Sequence, residues 1–486
     1  MQIDLMLIHG TVITMDLDRR ILEDGAVAVD RGRILKVGRT EDLLPLYQAR
    51  QTLDCRQQVV LPGLIDTHGH GGHSMFKALL YERPSVWMKH LTHAYHHCTT
   101  DEFWYVDGKL SALERLKAGV TTGVSVMGSV PRSDTAIPGC NHARGYAEVG
   151  IREIVCTGPA NPPWPHEFTR YEDGQWVTRA VPFEEALEGM EGVIQTWNHG
   201  ANDRIRVFAA PFVMVSSVNP SFPTPPDVAI ALTDHDRLQM RRIREIARKY
   251  NTRIHTDAFG GMIQMSYQDP NALLGPDVHL QHCRGISFRE TQILVETDTH
   301  VSSAPGPGQA KARCPVPELL SLGATVAIST DGTAPAAPFD LFQAARKTQL
   351  IHQFMSHDGY YLPVGKLLEM ITIDAAKVVG WEDELGSLEE GKKADMITVN
   401  MQAPHLAPSF LPVHRVILEA VGHDVDTVIV DGQIIMEGRK VMTVTEKDVL
   451  LEAQEESLRA IAQADLTTYL DPYPSIWKNP RLIFES

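Results

Sequence analysis

The chain has 486 residues, 43% of them hydrophobic and 22% charged, a usage that excludes a disordered or fibrous protein. Its 45 lysines and arginines against 61 acidic residues leave a net charge of −16, which speaks against nucleic acid and anionic membrane surfaces as partners. Six scattered cysteines (Cys55, Cys98, Cys140, Cys156, Cys283, Cys314) form no C-x-x-C pair, and neither a signal peptide nor an apolar run of membrane-spanning length is found, so a cytoplasmic setting is expected.

The first 61 residues read as short strands, Ile3 to Met15, Ala26 to Gly38 and Thr52 to Leu61. The texture returns late, in Ala394 to Val399 and Thr427 to Ile435. Strands at both ends and a different middle predict one small β-sandwich formed by both termini, from residues 1–61 and 386–445. A helical tail follows over 446–486, with a Pro- and aromatic-rich stretch at Tyr469 to Pro474.

Between them, over 62–385, short apolar runs alternate with amphipathic ones. Eight strand candidates begin near Gly63, Gly123, Glu153, Ile205, Thr252, Val278, His300 and Thr325. The clearest helix is Asp234 to Tyr250, with acids at its start and an apolar stripe. Eight such units predict an α/β fold, a (β/α)8 TIM barrel, whose chemistry lies at the C-terminal ends of its strands.

The first strand ends in Pro62-Gly63-Leu64-Ile65-Asp66-Thr67-His68-Gly69-His70. Histidines at i and i+2 share one face of a strand, and one metal ion could bind both. His255, His282 and Asp331 also fall at strand ends, separated by whole β/α units, so barrel closure would bring them together. Three imidazoles and a carboxylate suit a catalytic metal with a position open for water.

With these residues in view, the chain resembles the amidohydrolase superfamily, in its cytosine deaminase-like and chlorotriazine hydrolase-like branch. The anchors are Pro62 to His70, Leu113 to Thr122, His282-Cys283, Ser329-Thr330-Asp331-Gly332 and Leu385 to Asp395. The resemblance implies that His68, His70, His255 and Asp331 bind the metal and that Asp331 takes a proton from the attacking water. It implies that His282 orients the substrate, and that the protein is a homo-oligomer. Relatives with two metals bridge them by a carboxylated lysine or a glutamate after strand three or four. The ends here, Val155 to Pro159 and Ala210 to Val215, have neither, so one divalent metal is expected, zinc first, with Fe, Co or Mn also suited.

The branch's deaminases carry a glutamate three residues after the strand-five histidine, where this chain has Ala258. Asp257, at i+2 from His255, would share its face and could stand in as proton carrier. His73, Trp87 and Trp164 are candidates for the substrate pocket, whereas His93, His96 and His97 fit the face of an amphipathic helix. The first expectation is a metal-dependent amidohydrolase cleaving an amide, urea or carbamate C–N bond of a small molecule. The second is an aminohydrolase (deaminase) releasing ammonia from an amino-substituted heterocycle, and the third a non-catalytic barrel acting as a binding module.

Overall fold

The computed structural model describes residues 1–81, 83–218, 231–310 and 312–471. Five strands from the N-terminal segment and four from the C-terminal segment join in one nine-stranded sheet. The seam between the two is Gln58–Pro62 running antiparallel to Met396–Asn400, with Pro62 opposite Met396. Leu5, Leu7, Val27, Val29, Met396 and Ile429 pack together on one side of the sheet, and Ile3, Met6, Ala26 and Ala28 form a smaller cluster.

Two stretches read from sequence as single strands are hairpins. Ala26 to Gly38 turns at Arg31 and Gly32 (φ +50° and +73°) between strands Ile21–Asp30 and Arg33–Arg39. Thr427 to Ile435 turns in the same way at Asp431 and Gly432 (φ +50° and +71°). Consecutive left-handed residues make the tight turns whose twist matches paired antiparallel strands. Thr52 to Leu61 likewise divides into Gln48–Asp54 and Gln58–Pro62.

The central sheet has eight strands, all parallel and in sequence order: Leu64–Gly71, Val120–Met127, Arg152–Thr157, Ile205–Ala209, Ile254–Phe259, Val278–Arg284, His300–Ser303 and Val326–Ile328. Helices cover them from outside, so strands one to three are buried on both faces. The last strand meets the first where the Asp331 amide donates to the His68 carbonyl at 3.0 Å. This is the (β/α)8 barrel expected, carried beside a small β unit drawn from both termini.

Helix ends follow their sequence signals. Thr100 caps Asp101–Lys117 by accepting from the Phe103 amide, and Thr233 with Asp236 forms a capping box on Asp234–Tyr250. An antiparallel hairpin, His166–Glu172 with Gln175–Val181, is inserted after strand three. The tail helix, Glu446–Gln463, lies on Asp101–Lys117, where Glu446 is 2.8 Å from Lys117 and Glu456 accepts from Thr100 at 3.2 Å. Its Ser457 hydroxyl donates to the Met75 carbonyl in the turn after strand one. Residues 472–486, which include the end of the aromatic-rich stretch, lie outside the described residues. Among the described residues no helix is long and apolar enough to cross a membrane, and all six cysteines are free thiols.

Candidate active site

Pairing of strand one with strand two slips by one residue between Asp66 and Gly69, an irregularity of the kind that re-aims side chains beside active sites. His68 lies within it and His70 just past it, and His70 lines the cavity at the barrel mouth. His70 donates through Nδ1 to the Gly128 carbonyl at 2.9 Å, so its Nε2 carries a lone pair. His255 donates through Nδ1 to the His279 carbonyl at 3.2 Å, and its Nε2 lone pair lies 2.9 Å from His68 Nδ1. A proton on His68 Nδ1 then leaves His68 Nε2 as an acceptor, 3.2 Å from His70 Nε2 and 3.7 Å from Asp331 Oδ1. Asp331 Oδ1 is itself 3.2 Å from His70 Nε2. With the His70 ring neutral, three lone-pair donors converge, an arrangement that a divalent cation satisfies.

The electrostatics agree. Burial pushes His68 down to about 4, and it pushes His255 and His282 well below their ordinary values. Burial also opposes charge on His70 and Asp331, but the hydrogen bond and ion pair between them prevail, raising the imidazole and holding the carboxyl well below the carboxylate range. His68 and His255 are thus held neutral and Asp331 ionised, the forms in which these groups ligate metals, whereas His70, drawn toward its protonated form by Asp331, would lose its Nε2 proton when a cation binds.

Asp257 and His282 stand across the mouth, with Asp257 Oδ2 3.6 Å from His282 Nε2. His68, Asp257 and His282 each offer an atom to a second tight group that overlaps the first at His68. Burial raises the Asp257 carboxyl to about 7. His282 and Asp331 both sit in left-handed backbone, at φ +70° and +66°, the kind of strain that gathers at functional sites.

These groups open on one cavity of about 890 Å³. His73 and Trp87 line it, the His73 ring stacked on His70 at 4.5 Å with its Nε2 2.8 Å from Ser129 Oγ. Trp164 does not reach the wall; it packs edge-on against His166 and Phe183 under the inserted hairpin. On helix Pro84–His97, His96 is 3.2 Å from the Val130 carbonyl and His97 2.9 Å from Thr169 Oγ1, so both tie the helix to its neighbours.

Sequence reasoning missed a chain of buried charges that clamps strand one at both ends. Asp66 accepts from the Thr330 amide and hydroxyl, at 2.9 and 2.7 Å, and from Arg115 Nε at 3.1 Å. Arg115 continues to Tyr146, at 2.6 Å, and to Glu153, at 3.5 Å. Glu153 faces His142, which lies 3.2 Å from Asp107, and Asp107 accepts from the Gly72 amide at 2.6 Å. A Cβ at Gly69 or Gly123 would lie 2.4 or 2.5 Å from the Arg115 guanidinium, so glycine is needed at both positions. The signal in the sequence was weak, because Arg115 is one of several charges on its helix, with Glu114 before it and Lys117 after, and nothing local marks it as the buried one.

Although burial opposes it, Asp107 and Glu153 raise His142 to about 9. A histidine raised by folding lends stability in full below its unfolded value, near 6.5, and loses it as pH climbs through 9. Urea unfolding at pH 6 and pH 9.5 is therefore expected to show a fall larger by up to about 3 kcal/mol in the unsubstituted protein than in His142→Gln. Equal slopes would mean that His142 carries no charge in the fold.

Comparison with known proteins adds to this geometry. The chain matches the Amidohydrolase family over residues 59–435. It is 28% identical over 469 residues to a 5-methylthioadenosine/S-adenosylhomocysteine deaminase of Syntrophobacter fumaroxidans, covering 95% of this chain and 98% of that protein. To a 5'-deoxyadenosine deaminase of Methanosarcina mazei it is 27% identical over 479 residues, covering 95% and 99%. Among solved structures, a zinc-bound adenosine deaminase from Xanthomonas campestris superposes with a TM-score of 0.79 at 20% identity, covering 95% of this chain and 99% of that one. A zinc complex of atrazine chlorohydrolase from Arthrobacter aurescens TC1 does so with a TM-score of 0.76 at 19% identity, covering 93% and 100%.

Proposed function

Since the chain belongs to the amidohydrolase family and is a metal-dependent hydrolase of carbon–nitrogen bonds other than peptide bonds, we propose that it is an aminohydrolase acting on an amino-substituted heterocycle of nucleoside size. The observation that carries this reading is Asp257. Its carboxyl stands on the cavity wall 3.6 Å from His282, across the mouth from Asp331, where a proton must reach the ring nitrogen and the departing amine. The deaminase relatives support it, and the cavity is large enough for a purine nucleoside.

His68, His70 and Asp331 would hold one metal; His255, expected from sequence as a further ligand, instead accepts from His68 Nδ1 and would orient that ring. Bound there, a divalent ion, zinc in first place, lowers the pKa of water and stabilises charge at the reacting carbon. Asp331 Oδ1 takes a proton from the attacking water. His282, through Nε2, holds the ring edge as charge builds on it. Asp257 gives its proton to the ring nitrogen; as the carbon–nitrogen bond breaks, the amine takes the proton held by Asp331 and departs as ammonia, and the new hydroxyl returns a proton to Asp257 as it becomes a carbonyl.

The test is ammonia release from 5'-methylthioadenosine and 5'-deoxyadenosine by the zinc-loaded protein. Asp257→Asn is expected to lower kcat by about 10²-fold or more while leaving zinc content and Tm in place. Ala258, standing where the branch's deaminases have glutamate, favours the second reading of amide, urea or carbamate hydrolysis. Acid and amine products from those substrates, with no ammonia from the nucleosides, would establish it instead.

A further inference from the structure

Arg284 follows His282 by two residues at the end of strand six, and its side chain lines the same cavity. Among the described residues its guanidinium makes no hydrogen bond or ion pair; Nε is buried without a partner. Its neighbour is the Phe259 ring, 5.2 Å from the guanidinium carbon, and that ring stacks in turn on His282 at 5.4 Å. Arg115, Arg132, Arg152 and Arg244 each reach a carboxylate. A partly buried arginine without an ion pair in a cavity wall costs desolvation, which the longer-range pull of Asp257 offsets only in part.

Space has been kept for it. A Cβ at Gly308, in the segment after strand seven, would lie 1.3 Å from Arg284 Nη1, so only glycine lets the guanidinium rest there. Lys347, exposed on the same wall, also has no ion pair among the described residues. The acids Asp257 and Asp331 stand at the reacting end and repel an anion from it. The cavity is therefore polarised, acidic where the bond breaks and cationic toward Arg284.

We propose that Arg284 receives a carboxylate carried by the substrate on the part remote from its reacting carbon. The planar fork of a guanidinium matches a carboxylate with two parallel hydrogen bonds. The inference rests on the reading of this cavity as the substrate site, and it narrows the substrate class from amino-heterocycles to those with an anionic side arm.

Two arms test it. In the first, 5'-S-(2-carboxyethyl)-5'-thioadenosine and its carboxamide, which differ only in charge, are given to the zinc-loaded protein. KM is expected to be at least about tenfold lower for the carboxylate. In Arg284→Gln the ratio should fall to about one, and in Arg284→Lys, which keeps the charge but not the fork, it should lie between. In the second arm, 4-phenylbutyrate and 4-phenylbutyramide are titrated calorimetrically into the same proteins, which needs no turnover. An Arg284-dependent carboxylate preference in the second arm, with no ammonia in the first, overturns the deaminase reading alone. Absence of that preference in both arms, with Tm and zinc content unchanged, overturns the role given to Arg284.

Discussion

Asp331→Asn is expected to cut kcat by about 10³-fold or more, because one side chain is removed from two tasks, ligation and proton transfer. The substitution is a clean one for the backbone. Asp331 sits at φ +66°, a region that asparagine tolerates nearly as well as aspartate, and its amide bond to the His68 carbonyl, which closes the barrel, does not involve the side chain. Tm should change little. Metal content per chain, measured after dialysis against a chelator and return of zinc, should recover in the unsubstituted protein and only partly in the variant. Residual turnover above a tenth of normal would remove Asp331 from the chemistry.

The second large effect is on stability. Arg115→Met keeps the length and apolar stem of the side chain and deletes its charge, leaving Asp66 and Glu153 fully buried without their shared cation. Breaking a buried pair by removing one partner costs about 3–5 kcal/mol. A fall of that size in urea unfolding is expected. Because Asp66 also holds Thr330, next to Asp331, through two hydrogen bonds, zinc affinity should weaken in the same variant. A loss below about 1 kcal/mol would mean that the two acids take up protons and the chain of charges is dispensable.

The fold was legible because its signals are local. Apolar runs alternating with amphipathic ones mark strands and helices one at a time, and the His68/His70 pair with Asp331 marks which strand ends matter. Hairpins at Arg31-Gly32 and Asp431-Gly432 carried a local signal, a charged residue and a glycine between two apolar runs, but it reads equally as a break within one strand until the pairing of the two arms is seen. The clamp of Asp66, Arg115, Glu153, His142 and Asp107 could not be read at all. Burial of a charge is a property of the finished packing, and residues 66 to 153 meet only when helices close over the strands. Trp164 illustrates the converse, because an aromatic near a strand end looks like a pocket wall until the inserted hairpin claims it. Arg284 was passed over because the adjacent His282-Cys283 pair matched a known pattern, whereas its own lack of a partner is visible only in three dimensions.

The seam between Gln58–Pro62 and Met396–Asn400 has a consequence for how the protein is made. The strand bearing His68 and His70 begins two residues past that seam, and its Ile65 amide bonds to the Ile371 carbonyl. Both partners leave the ribosome more than 300 residues later, which at roughly 5–20 residues per second is a wait of about 15 to 70 seconds. During that interval the N-terminal strands can pair with one another, but Gln58–Pro62 keeps an open edge and the sheet an uncovered apolar face, so the nascent chain is exposed to aggregation and calls for chaperone cover. The strand bearing His68 and His70 comes early in synthesis and gains its flanking partners late, so a chain stalled before codon 396 lacks the strand that pairs with Gln58–Pro62.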